Sequence, residues 1–240
     1  MEVVMKKVLN KALIFFSCLT LLSCHSRAVV TNISILYDIT DPLLRKPLLV
    51  DILTISNIDE NIWQGLSVHI ETICDMTTSD QWDFILPEEN HLQVSRRFRL
   101  LTVANFKEKI MNRLTYLDSI NNHTSLKHSI IYEPIVKVSN KLSKIYGQFN
   151  YLLVYSNLME NSVVNFHNAK EFEVLKTQPI KIKQILIKEA KLKDLEGLKI
   201  YLLFKANSYE ESNCYKIASH FFTSLLTEKS ASVQLELPVK

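Results

Sequence analysis

Apolar residues in this chain gather into two kinds of run that take turns along its length. Short, nearly continuous blocks recur at "NISILYD" (Asn32–Asp38), "NYLLVYSN" (Asn150–Asn157) and "GLKIYLLFK" (Gly197–Lys205). An unbroken apolar block of that length suits a strand covered on both faces, and Asn32–Asp38 is expected to be a central strand. "GLSVHIETICDM" (Gly65–Met76) instead sets Leu66, Val68, Ile70 and Ile73 among polar positions. That pattern predicts a second strand with a partly exposed face.

The runs between these blocks have helical spacing. "PLLVDILTISNI" (Pro47–Ile58) opens on a proline suited to a first turn, and Leu100–Ile120 carries Phe106, Ile110, Leu114 and Leu117 three and four apart. Ser129–Ile145 repeats the pattern with Ile131, Ile135, Val138, Leu142 and Ile145, Pro134 falling in its first turns and Gly147 marking the turn after it. "IKQILIKEAKL" and Glu210–Glu228 add two further helices, and "SVQLEL" closes the chain as an edge strand. Strands alternating with helices predict βαβ crossovers. The expected fold class is therefore α/β, a Rossmann-like three-layer sandwich with a mostly parallel sheet and helices on both faces.

The N-terminus reads differently. Lys6, Lys7 and Lys11 precede "ALIFFSCLTLL" (Ala12–Leu22), too short for a permanent membrane span and the right length for a signal-peptide core. The run ends in "LLSC" (Leu21–Cys24), which resembles the bacterial lipoprotein box. The resemblance implies cleavage after residue 23, acylation of Cys24 with palmitate-type chains, and a cell-envelope location facing the periplasm or the exterior. Residues 24–31 would then be a lipidated tether and 32–240 a single domain. His25 after the cysteine leans towards the outer membrane.

Removing residues 1–23 takes away three lysines and Glu2, so the formal charge falls from +3 to +1, with 25 basic against 24 acidic residues. The basic balance belongs largely to the targeting segment, and no nucleic-acid partner is expected. Cys74 and Cys214 are the cysteines left besides Cys18 and Cys24, able to pair in an oxidising compartment or to stay as buried thiols. No CxxC or Cys/His cluster suggests zinc.

The densest chemistry lies where "NISILYD" runs into "ITDP": Asp38, Thr40 and Asp41 fall at the carboxyl end of one strand, Ser156 and Asn157 at that of another. Ligands of open α/β sheets bind along that rim. On "ILYDITD", the serine of "KHSIIY" and "LLVYSNLMENS", the chain resembles the von Willebrand factor A (VWA) domain family, in particular its divergent bacterial lipoproteins, over about residues 30–226. In that family a metal-ion-dependent adhesion site is built from DxSxS after the first strand, a middle-loop threonine and a late aspartate. The resemblance implies Asp38 as the first aspartate, Thr40 as the first hydroxyl, Ser129 in the middle loop and Asn157 in the place of the late aspartate. Pro42 stands where the second serine belongs. Such a degenerate site would take Mg²⁺, a hard cation that keeps waters, weakly or not at all. The residue-level alternative is that Thr40 or Asp41 caps the following helix.

Two functions of different class follow. One is a noncatalytic, lipid-anchored VWA-like module for protein interaction or scaffolding, bound to the membrane by its anchor and to a protein partner by its strand-end rim. The other is a haloacid-dehalogenase-like phosphohydrolase with Asp38 as nucleophile, although Thr40 stands where that chemistry needs a second aspartate. No P-loop, Rossmann glycine fingerprint, GxSxG or HExxH is present, and the chain is read as no enzyme. "RRFR" (Arg96–Arg99) could form an anionic contact patch, but is read as a solvated edge leading into a helix. Glu160, Asn161 and His167 form a candidate binding loop beside the rim. The N-x-[ST] sequences at Asn32, Asn122 and Asn161 are not expected to be glycosylated in a bacterial protein.

Overall fold

The computed structural model describes residues 30–40, 45–74, 79–121, 129–145 and 149–238. The segment expected to be a signal peptide, the expected acylation site Cys24, Asp41, Pro42, Asn122 and Gly147 lie outside the described residues.

β1 (Val30–Asp38) is paired along its whole length with β2 (Gly65–Ile73) on one side and over Thr31–Tyr37 with β4 (Phe149–Tyr155) on the other. Every residue after Val30 in β1 is buried, so the continuous apolar block is a central strand as expected. The strand starts at Val30, inside the stretch read as tether. Beyond β4 come β5 (Leu198–Leu203) and the three-residue edge strand β6 (Ser232–Gln234), both parallel. β3 (Gln81–Leu86) closes the other edge antiparallel to β2. The order is β3-β2-β1-β4-β5-β6.

Two core layers flank the sheet. α1 (Leu49–Ser56) and α2 (Arg96–Asn121) cover one face, where Ile33, Ile35 and Tyr37 of β1 meet Ile52, Phe106 and Ile110. On the other face, α3 (Tyr132–Leu142), α4 (Ala169–Thr177), α5 (Pro179–Glu189) and α6 (Tyr209–Thr227) pack over Leu36, Leu152, Val154 and Ile200. Alternate residues of one strand point to opposite faces, so a continuous apolar strand feeds both layers. The three-layer α/β sandwich is as the alternating pattern predicts.

Several details differ from the sequence reading. β3 was not anticipated, although Trp82, Phe84 and Leu86 alternate there with Gln81, Asp83 and Ile85. Its inner face is held by α2, where Trp82 packs edge-on against Tyr116 and under the Arg113 guanidinium. β2 lacks the expected exposed face, since His69 meets Asp83 of β3 and Glu71 accepts from Lys137 of α3; only Ser67 among its nine residues is not buried. α1 starts at Leu49, two residues after Pro47, and its first turn is held by Asp51, which accepts the Leu48 N–H at 3.1 Å. Cys74 and Cys214 form no disulfide with each other and pack against opposite core layers, the sheet between them.

"RRFR" is the largest correction. It forms the first turn of α2, and Arg99 within it is wholly buried. Its guanidinium donates to the carbonyls of Ile62 (2.6 Å), Pro87 (2.9 Å) and Gln64 (2.8 Å), pinning α2 to the segments that enter β2 and leave β3.

Candidate functional site at the carboxyl ends of β1 and β4

The chain leaves β1 towards β2 on one side, and β4 lies on the other, so the sheet order reverses between β1 and β4. That is a topological switch point, where the connections diverge and leave a crevice at the strand ends. Asp38 is the last residue of β1, and Ser156 follows the last residue of β4.

Asp38 is 0% exposed, and both of its oxygens accept hydrogen bonds. Oδ1 takes the Thr40 backbone N–H at 3.1 Å, an Asx-type turn, and the Thr40 hydroxyl at 2.6 Å. The Ser129 hydroxyl lies 3.2 Å from the same oxygen and also bonds Thr40 Oγ1. Oδ2 takes the Ser156 hydroxyl at 2.9 Å. Burial raises the Asp38 pKa above the ordinary carboxylate value, outweighing the donors from Thr40, Ser156 and Ser129 that favour the charged form.

Ser156 also accepts the Leu158 N–H at 3.0 Å and so shapes the loop beyond β4. Leu158 there has φ 59°, a conformation bulky residues rarely adopt, and is completely buried. Two residues on, Glu160 turns inward and its Oε2 accepts the N–H groups of Ile131 (3.1 Å) and Tyr132 (2.6 Å). A buried carboxylate thus sits on the N-terminus of α3, where the helix dipole favours negative charge. Burial nevertheless pushes its pKa up to about 7, with the nearby charge of Asp38 adding to the rise. The Ser129 carbonyl accepts the Asn161 N–H at 2.9 Å, so the loops before α3 and after β4 are stitched by main chain as well.

Of the residues nominated from sequence, Asp38, Thr40 and Ser129 come together. Asn157 does not join them directly: its Oδ1 accepts the Met159 N–H at 2.9 Å, and its neighbour Ser156 is the residue that reaches Asp38. The pleat explains this, since adjacent positions at a strand end point to opposite sides. Glu160 joins the site as an internal group, while His167 is exposed. Asp51 went unnoticed in the sequence; it is buried beside the rim and accepts the Tyr155 hydroxyl at 2.7 Å. Its only sequence signal was an acidic residue in the first turn of a helix.

The donor set around Asp38 is all oxygen, one carboxylate and three hydroxyls. Hydroxyl oxygens keep a lone pair while donating, and such hard donors suit Mg²⁺ with several waters retained. No group of three or more His, Cys, Asp or Glu stands together in metal-binding range among the described residues. A cation here would therefore rest on few anionic ligands and be held weakly.

No protein-family model matches the chain, and no curated protein matches it either.

Proposed function

We propose that this chain is a lipid-anchored protein of the bacterial cell envelope whose VWA-like domain is a noncatalytic binding module. It offers the rim at the carboxyl ends of β1 and β4 to a protein partner. The observation that carries this reading is the junction of Asp38, Thr40 and Ser129, three positions nominated by the family resemblance from two distant segments, at the switch point of the sheet. The loop of residues 156–168, stitched to the same junction, supplies the accessible surface.

The phosphohydrolase reading finds less support. An aspartate nucleophile needs a free oxygen facing substrate, and both oxygens of Asp38 are occupied by donors in a fully buried site. Thr40, at the acid/base position, spends its proton on Asp38.

Titration calorimetry with Mg²⁺ and Mn²⁺ tests the rim as a cation site. Asp38→Ala, which removes the carboxylate of the cluster, is expected to abolish binding, and an affinity unchanged in that variant defeats the metal part of the reading. Affinity capture from native membranes tests the partner: a component lost when exposed Val163 and His167 are both replaced by Glu supports the rim as the contact, and one retained places the contact elsewhere.

A further inference from the structure

Both edges of the sheet perpendicular to the strands expose apolar side chains, among them Leu48, Val50, Val163 and Tyr209 at the carboxyl one. The candidate site occupies the carboxyl edge. At the opposite edge, where β1, β2 and β4 begin, large apolar side chains stand in solvent: Leu92 is 82% exposed, Phe98 59%, Leu101 57% and Phe149 55%, with Leu100 between them. Arg96 and Arg97 are exposed beside them in the first turn of α2.

Three contacts place this patch beside the point where the chain enters the domain. Val30, the first residue of β1, pairs with Gly65, and a side chain at Gly65 would touch both Val30 and the Glu88 backbone. Arg99 ties the first turn of α2 to the carbonyls of Gln64 and Pro87 on either side of that contact. Phe149 opens β4 opposite Thr31. Cys24 precedes Val30 by six residues, a link that reaches at most about 20 Å when extended.

The patch is also unfavourable in water on two counts. Cations in a helix's first turn oppose its dipole, and that turn of α2 holds no acidic residue. Phe98, Leu100 and Leu101, all exposed within one turn of α2, add apolar surface in solvent to the cost. Both features become favourable against a surface that is apolar beneath and anionic on top. Of the acids on the segments that Arg99 ties together, Glu89 faces the buried guanidinium at 3.6 Å and Asp59 pairs with Lys107, while Glu60 and Glu88 stay exposed beside the two arginines.

We infer that this edge is a membrane-docking surface: Phe98, Leu100 and Leu101, with Leu92 and Phe149, enter the interfacial region of an anionic bilayer, and Arg96 and Arg97 meet its headgroup phosphates. The inference rests on the lipid-anchored reading for its orientation. It sets the domain with β1 pointing away from the membrane, so that the Asp38 rim faces outward towards its partner.

Photocrosslinking of the full chain, purified from membranes and reconstituted in phosphatidylethanolamine–phosphatidylglycerol vesicles with a diazirine on the acyl chains, tests this by peptide mass spectrometry. Segment 92–101 and Phe149 should carry at least about five-fold more lipid label than segments holding Val163 and Tyr209 at the far edge. Arg96→Glu combined with Arg97→Glu should lower the label in these vesicles but not in phosphatidylcholine alone. Equal labelling of both edges overturns the inference, as does crosslinking of 92–101 to protein instead of lipid. The same spectra report acylation of Cys24. Acylated Cys24 with an unlabelled patch rejects the docking surface and leaves the anchor, whereas a labelled patch with unmodified Cys24 rejects the anchor and leaves the surface.

Discussion

The Ser156 hydroxyl donates to Asp38 Oδ2 at 2.9 Å, joining the ends of β4 and β1 across 118 positions of sequence. With Thr40 and Ser129 on the other oxygen, this bond makes one buried carboxylate the clasp of three chain segments.

Removing either end of that bond should be felt in stability. Ser156→Ala takes one donor from a buried carboxylate and frees the Leu158 N–H, for a loss of roughly 1–3 kcal/mol. Asp38→Ala leaves the hydroxyls of Ser129, Thr40 and Ser156 without their acceptor and is expected to lose about 3 kcal/mol or more. Because the two share one interaction, the double variant should fall short of the sum, as urea unfolding of all three proteins will report.

Glu160 makes stability depend on pH. Its folded pKa of about 7 lies above the ordinary glutamate value of 4.5, so the folded state holds a proton that the unfolded chain releases between those values. Stability from this group is greatest below pH 4.5 and falls as pH rises to 7, by on the order of 3 kcal/mol. Asp38, also raised, and His69, raised chiefly by its bond to Glu71 and further by Asp83, act in the same direction, with the His69 contribution lost above its ordinary value of 6.5. Thermal unfolding should therefore show a higher Tm at pH 5.5 than at pH 8. Glu160→Gln should flatten much of that slope, and an unchanged slope would mean that Glu160 does not carry it.

Arg99 should tolerate no substitute. Arg99→Met strands three carbonyls, and Arg99→Lys brings an ammonium that cannot match the planar fork, so both are expected to destabilise the fold by about 3–5 kcal/mol. Urea midpoints near that of the parent would show that the buried guanidinium is dispensable.

Reductant should leave the domain unaffected. Cys74 and Cys214 lie on opposite sides of the sheet, so Tm with and without dithiothreitol should agree to within about 1 °C.

Most elements were legible in the sequence because each follows from a local period, although α4, like β3, was not anticipated. Continuous apolar blocks such as Asn32–Asp38 can only be satisfied in a sheet covered twice, and the three-to-four spacing of Phe106, Ile110 and Leu117 only on a helix. That Asp38 and Thr40 lie at the rim was legible because a strand end delivers its next residues there whatever lies around them; Ser129, nominated from the resemblance alone, is brought to the same carboxylate by the fold. Sheet neighbours, by contrast, are set by contacts between distant segments. β3 stayed hidden because its short alternating run gains its partner only when Trp82 meets α2 and Leu86 meets Leu66. The choice of Ser156 over Asn157 depended on the pleat at one position, which no pattern of residue types encodes. Burial of Arg99 and Glu160 was illegible for the same reason: a charged side chain goes inside only where folding assembles its partners, here three carbonyls for one and two helix N–H groups for the other.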